Sequence, residues 1–219
     1  MGKKSCLVRW ANVHSHVRLS NKLSKEKIGI MAYLSGDGYI KVREKGFHYE
    51  ISFFMDDLLV AKRIVKLFQD EYNVEPSINH VETTVVGGKG YYLVRISNKP
   101  VCLDLLSLGK YGKLEWTVPQ GLSSMLLKEW IKCFFDCEAH INKSRNHIQV
   151  KSVNGKGLNQ IKEILCEQDI LGRVYGPYAN GPGHNPYFML SIYLLSEVIK
   201  YRDTIGFYHS KKNKILQSL

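Results

Sequence analysis

Two short segments of this chain each close on a single carboxylate set among small residues: Gly36-Asp37-Gly38 and Cys137-Glu138-Ala139. Ahead of the first, Gly29, Ala32 and Gly36 recur at spacings of three and four; in the second, Cys133 and Cys137 lie four apart. On helices these positions form a nearly bare stripe. Such stripes let two helix backbones approach closely, a steric rule known best from membrane helices. If the two helices pack together, Asp37 and Glu138 meet at the foot of the seam. Two close carboxylates repel and do not both ionise without compensation. A divalent, oxygen-seeking cation removes the conflict, and Mg2+ is the common choice. One or two such ions beside a basic surface suit phosphodiester hydrolysis. The alternative is that both acids are ordinary polar residues at helix ends. The helix dipole disfavours acids at a C-terminus, which weakens that alternative.

The elements that must position these acids follow from periodicity. Ser24 is a candidate N-cap for a helix that ends near Gly36. YIKVRE (39–44) and HYEISFF (48–54) alternate as strands around a turn at Lys45-Gly46. Residues 56–72 carry apolar side chains at helical spacing, with Asp56 and Asp57 in the first turn. Two strands, 78–86 and 91–96, flank the glycine-rich Gly87-Gly88-Lys89-Gly90, and a short helix spans 101–112. The second half repeats the order: helix 123–139, strands 140–142 and 147–153, helix 156–171, strands 173–178 and 187–193, and a closing helix 194–208. The chain thus divides into a basic N-terminal extension (1–24), a first repeat (25–110), a linker (111–122) and a second repeat (123–219) with a basic tail. The fold class is α+β.

The 219 residues hold 31 Lys+Arg against 20 Asp+Glu, a net charge of +11. That surplus makes a polyanion the first partner to consider. A hydrophobic fraction of 44% supplies a real core. No window reaches the roughly 18 apolar residues of a membrane span, and MGKKSCLVRW has no apolar signal core behind its lysines. The five cysteines are odd in number and widely spread, which fits reduced thiols in an intracellular, cytoplasmic protein rather than a disulfide scaffold or zinc site.

Ile30-Met-Ala-Tyr-Leu-Ser-Gly-Asp-Gly38 resembles the nine-residue signature of the LAGLIDADG homing endonucleases. Ile131-Lys-Cys-Phe-Phe-Asp-Cys-Glu-Ala139 resembles its second copy, and Ile205-Gly-Phe-Tyr-His-Ser-Lys-Lys-Asn-Lys214 the close of such a domain. The resemblance covers about residues 24–215 and is nearest the single-chain, intron-encoded archaeal members, implying a prokaryotic host. Ala32 and Cys133 depart from the favoured Gly, and Ala139 from the usual last residue; all are small. The resemblance implies two pseudo-symmetric αββαββα repeats whose antiparallel sheets form a saddle around paired central helices. It implies a monomer that binds a long double-stranded DNA target, asymmetric or pseudo-palindromic, and cuts both strands across the minor groove, leaving short 3′ overhangs. Asp37 and Glu138 would bind catalytic Mg2+ or related divalent ions, helped by the backbone carbonyls of Gly36 and Cys137. Lys151, on a strand soon after Glu138, is the expected basic residue at the scissile phosphate. The matching first-half stretch, Ser52-Phe-Phe-Met55, offers no such group, so either Lys41 serves there or the site is asymmetric.

Strand alternation sorts the side chains into two faces. Ile40, Val42, Ile51, Phe53, Val94 and Ile96 point inward. Tyr39, Lys41, Arg43, His48, Glu50, Ser52 and Arg95 then face outward. In the second half the outward set is His140, Asn142, Arg145, His147, Gln149, Lys151, Arg173, Tyr175, Tyr187 and Ser191. Arg, Lys, Gln, Asn and Ser are types that read base edges in the major groove. A purely solvated strand face is the alternative for these residues. For the whole chain the alternatives are an RNA maturase or a non-catalytic DNA-binding regulator on the same scaffold, or a basic structural protein.

Overall fold

A computed structural model of the chain describes residues 16–43, 48–83, 88–179 and 181–219. The turn at Lys45-Gly46, the far end of the 78–86 segment and most of the basic extension lie outside them. The first half contains α1 (Lys25–Ser35), β1 (Gly38–Arg43), β2 (His48–Met55), α2 (Leu58–Tyr72), β3 (Ser77–Val81), β4 (Tyr91–Ile96) and α3 (Lys99–Leu108). The second contains α4 (Ser124–Glu138), β5 (Ala139–Asn142), β6 (His147–Ser152), α5 (Gly155–Glu167), β7 (Arg173–Tyr178), β8 (Tyr187–Ile192), α6 (Leu195–Thr204) and α7 (Ser210–Gln217). Each half builds a four-stranded antiparallel sheet with the same topology, β1-β2-β4-β3 and β5-β6-β8-β7. The fold is α+β, with two repeats arranged about paired helices. None of the described helices is long and apolar enough to cross a membrane.

Helix α1 begins where Ser24 accepts a hydrogen bond from the Lys27 N–H. It has no polar face: every residue from Lys27 to Ser35 is buried, as expected of a helix covered on all sides. Lys27, fully buried, is matched by Asp104 at 2.9 Å and Glu71 at 3.3 Å. A buried ammonium requires such pairing. The helix packs on α2 and directly on α4. The small-residue stripe makes that contact possible. A methyl group on Gly36 would stand 2.6 Å from Cys137 Cβ and 2.9 Å from its Sγ, while one on Gly29 would stand 3.5 Å from Cys133 Sγ. Tyr33 donates to Asp136 across the seam (2.9 Å), tying the two helices by a buried hydrogen bond.

The connector between the halves is packed rather than loose. Trp116 and Val118 are buried. Trp116 packs its ring, tilted, against Phe134 (4.6 Å between centroids) and Trp130 (5.9 Å) of α4. Gly157 is required there, because a Cβ on it would lie 2.4 Å from the Trp116 ring.

Several expectations need correction. The helix expected over 101–112 spans Lys99–Leu108, and the one expected over 156–171 spans Gly155–Glu167. The strand expected over 78–86 is observed as Ser77–Val81. Asp57 precedes α2 as its N-cap, accepting from Leu59 and Val60, instead of lying in its first turn. The closing helix stops at Thr204, not Tyr208. Gly206, at φ +67°, turns the chain in a conformation that suits glycine. The backbone N–H groups of Tyr208 and His209 then both donate to Asp136 (2.9 and 3.0 Å). The chain continues as α7, which returns toward the first half: the His209 ring meets Asp56 at 3.0 Å, and Ser210 donates its N–H to Asp57 at 3.1 Å.

Candidate functional site

The two signature helices run side by side and release their acids into one cleft. Its walls include Ser35, Gly36, Asp37, Lys113, Trp116, Glu138, Lys151 and Tyr187, around about 450 Å³ of space. The closeness of the helix feet explains this convergence. A methyl group on Gly36 would come within 3.8 Å of Glu138 Cγ. Chain order then carries each half from its acid straight into a strand, β1 after Asp37 and β5 after Glu138, so each acid sits where a sheet begins.

The electrostatics follow from crowding. Burial, joined by the neighbouring charge of Asp37, pushes the Glu138 carboxyl up to about 7, while Lys212 and Lys113 offset part of the rise. Burial likewise raises Asp37, and Lys212 is the largest counterweight. Asp37 keeps solvent access at the mouth of the cleft, so it is crowded rather than sealed. These are carboxylates held close with too few positive neighbours, the condition that a divalent cation relieves.

The donors present fit a hard, oxygen-binding ion. Among the described residues no group of three or more His, Cys, Asp or Glu side chains gathers to hold a metal, so a closed all-protein cage is absent from them. Two carboxylates lining an open cleft, each preceded in the chain by a residue whose backbone carbonyl is a further oxygen donor (Gly36 and Cys137), match the sparse ligation of Mg2+, which usually keeps waters and takes substrate phosphate oxygens. The two carbonyls are not in the same state. Cys137 accepts a hydrogen bond from Lys212 Nζ at 3.1 Å, whereas among the described residues no side chain donates to the Gly36 carbonyl.

Lys151 lines the cleft as expected, exposed and 5.6 Å from the Tyr187 ring centroid. Lys41 does not reach it. It pairs across from Glu50, two rungs along the sheet from Asp37, whose carbonyl accepts from the Phe54 N–H (3.1 Å). The second lysine of the cleft is Lys113, from the connector. Nothing in the local sequence marked it, since its place depends on the connector folding back over α4.

Strand registers place the other sequence-selected residues. In the first sheet Tyr39, Ser52 and Arg95 share one rung on the face away from the helices. In the second, His140, Gln149, Ser191 and Arg173 form the matching rung, with Asn142 opposite His147. Lys151, Met189 and Tyr175 form the next. Two of these side chains do not reach solvent: Ser52 is 0% and Ser191 2% exposed, roofed by larger neighbours on the same rung. Glu50 is engaged by Arg95 at 3.4 Å and His48 at 3.7 Å. Arg43, His140, Arg145, Arg173 and Tyr175 are exposed, although Arg145 belongs to a 3-10 turn rather than a strand. Val42, expected inward, is 37% exposed near the end of the outer strand β1, beyond the cover of the helices. Phe54 was not anticipated on the outer face. It is 40% exposed there and stacks on Tyr39 at 5.9 Å.

No family model and no curated protein matches the chain. Solved structures do. The homing endonuclease I-DmoI in complex with DNA and Ca is 19% identical, covers 88% of this chain and 98% of its own, and superposes with a TM-score of 0.60. A structure of mesophilic variants from I-DmoI gives 19% identity, 83% and 97% coverage, and 0.59. The N-terminal LAGLIDADG domain of DUF199/WhiA gives 12% identity, 84% and 83% coverage, and 0.57. At such identities the likeness is one of fold.

Proposed function

We propose that this chain, which has the two-repeat LAGLIDADG fold, is a site-specific double-strand DNA endonuclease that hydrolyses phosphodiesters with divalent metal ions, Mg2+ being the expected one. The observation that carries the reading is the convergence of Asp37 and Glu138, from two separate repeats, in one cleft lined by lysines. I-DmoI, of the same fold, has been solved with its target DNA and with Mn, Mg or Ca. Asp37 and Glu138, with the carbonyls of Gly36 and Cys137, would hold the ions. Such an ion supplies charge neutralisation at the scissile phosphate and a more acidic water. Each acid serves one strand. Lys151 and Lys113 add positive charge where the phosphate enters, and the outer sheet faces lie along the flanking duplex. The two-repeat chain acts as a monomer on a long asymmetric or pseudo-palindromic target, cuts across the minor groove to leave short 3′ overhangs, and serves intron mobility in a prokaryotic cytoplasm.

Selection of cleaved sites from a randomised duplex library in Mg2+ tests this reading. Wild type is expected to yield one family of long sites, and Asp37→Asn with Glu138→Gln none. Equal cutting by both proteins would sink the mechanism. Phosphate contacts also predict binding that weakens steeply with salt.

The second reading is an RNA maturase or a non-catalytic DNA-binding regulator. The WhiA domain has this fold too, but the retention of both acids in a single cleft favours the nuclease. Binding without cleavage in any divalent metal would reverse that preference.

A further inference from the structure

The carbonyls at the end of α4 are held by a lysine that the sequence did not single out. Lys212, on α7, sets its Nζ 3.2 Å from the Phe135 carbonyl, 2.5 Å from that of Asp136 and 3.1 Å from that of Cys137. An ammonium has three donors, and these three bonds use them all. The group lies beside acids from three elements. Asp37 comes from the foot of α1, Asp56 from the end of β2, and Asp136 and Glu138 from α4; Lys212 acts electrostatically on the carboxyls of all four. The chain is positioned for this by Asp136, which accepts the N–H groups of Tyr208 and His209 just before α7 begins. Helix α1 has no equivalent cation bonded at its foot among the described residues.

We propose that Lys212 is a tethered cation that weakens divalent-metal binding at the paired acids, by occupying the Cys137 carbonyl and by supplying one positive charge beside Asp37 and Glu138. It is a positioning residue. It rests on the metal site assigned above, and it makes that site unequal, because only the second repeat carries the lysine. The cation fills two roles: it satisfies helix-end carbonyls, and it neutralises part of the acidic pair while no metal is bound. Asp37 and Glu138 would therefore hold a divalent ion against the repulsion of a fixed ammonium, with one lone pair of the Cys137 carbonyl already engaged.

Mn2+ titration of the full chain by calorimetry, without DNA, tests the idea. Folded Lys212→Met is expected to bind Mn2+ about tenfold more tightly than wild type, a difference of about 1.4 kcal/mol. Lys212→Arg, which keeps the charge, should stay close to wild type. A structural cap alone would not produce that split. Unchanged or weaker Mn2+ affinity in folded Lys212→Met overturns the proposal. Asp37→Asn combined with Glu138→Gln separates the two layers. If wild type and Lys212→Met bind equally and the acid variant does not bind, only the role of Lys212 falls. If no protein binds Mn2+, the metal site falls with it. Should Lys212→Met not fold, NMR of lysine-labelled wild type decides: the Lys212 signal, assigned with Lys212→Arg, must move as Ca2+ is added, and a signal that stays fixed at saturation overturns the proposal.

Discussion

At the foot of α1, Asp37 faces Phe54 across the β1–β2 pair, and the Phe54 N–H bonds its carbonyl at 3.1 Å. At the foot of α4 the register puts Lys151 in the same place relative to Glu138, since Ala139 pairs with Val150. One acid thus has an exposed aromatic beside it, stacked against Tyr39 at 5.9 Å. The other has an ammonium beside it, and the carbonyl just before it, that of Cys137, is held by Lys212. The matching rungs differ just as much: Tyr39, Ser52 and Arg95 on one sheet stand for His140, Gln149 and Ser191 on the other. The backbone is repeated and the chemistry is not. A duplicated scaffold preserves the parts set by close packing, namely the helix seam and the acids it delivers. It frees the outward positions to diverge, because no neighbour in the core constrains them.

The largest test of this comparison removes the acids one at a time. If each acid serves one strand, Asp37→Asn and Glu138→Gln should each turn a double-strand cutter into a nicking enzyme, with the affected strand slowed at least ~10²–10³-fold, the scale of losing a principal charge-stabilising group. Strand-specific end labels would show which strand persists. If either variant slows both strands equally, the two acids form one shared centre and the division between repeats fails.

The next effect is on stability. Glu138 sits at about 7 in the folded chain against an ordinary value of 4.5. Between those values the folded state holds more protons than the unfolded one, so stability falls as pH rises from about 4.5 to about 7. The full shift corresponds to at most about 3 kcal/mol, less after solvent screening. Glu138→Gln should flatten the urea midpoint over that window, and saturating Mn2+ should flatten it in wild type. A wild-type midpoint that rises through the window would contradict the burial of Glu138 and its crowding by Asp37.

Close approach at the seam predicts a smaller contrast. Gly36→Ala drives a methyl group into Cys137 Cβ at 2.6 Å and should cost about 1–3 kcal/mol by overpacking. Gly29→Ala presses closely only on the movable Leu67 Cδ1 at 3.1 Å, with Cys133 Sγ at an ordinary 3.5 Å, and should cost less. Equal losses in denaturant midpoint would mean that the helices do not cross most tightly at their feet.

The parts that the sequence made legible are those governed by local pattern. The ends of β4 and β7 and the start of α1 at Ser24 follow from alternation, capping and breakers, and they appear where expected. The pairing of Asp37 with Glu138 was readable because two copies of one design had to meet. Lys113 and Lys212 were not readable. Each reaches the acids through a path, the connector over α4 or the turn at Gly206, that leaves no periodic trace near the acids in sequence. Ser52 and Ser191 were assigned the correct face, but their exposure is decided by side chains on other strands. Alternation fixes direction and says nothing about the height of the neighbours.

The smallest expected effect probes the rung where the halves differ most sharply. Lys151→Met removes the cleft ammonium of the second repeat, which stands 5.6 Å from the Tyr187 ring centroid, while keeping a side chain of similar length. General acid–base or charge assistance by one side chain contributes at least about 10²-fold when it acts directly. Lys113 also lines the cleft, so partial compensation should hold the loss near tenfold and confine it to the strand served by Glu138. The reciprocal change, Phe54→Lys, places an ammonium at the matching point beside Asp37. Because Phe54 is exposed and its backbone N–H bond to Asp37 does not involve the side chain, folding should survive. If the asymmetry belongs to these side chains, Phe54→Lys speeds the Asp37 strand and the double exchange reverses which strand is cut first. If the order of cutting stays fixed in the exchange, the difference between the halves lies deeper, in the Cys137 carbonyl that Lys212 holds and the Gly36 carbonyl that no described side chain does.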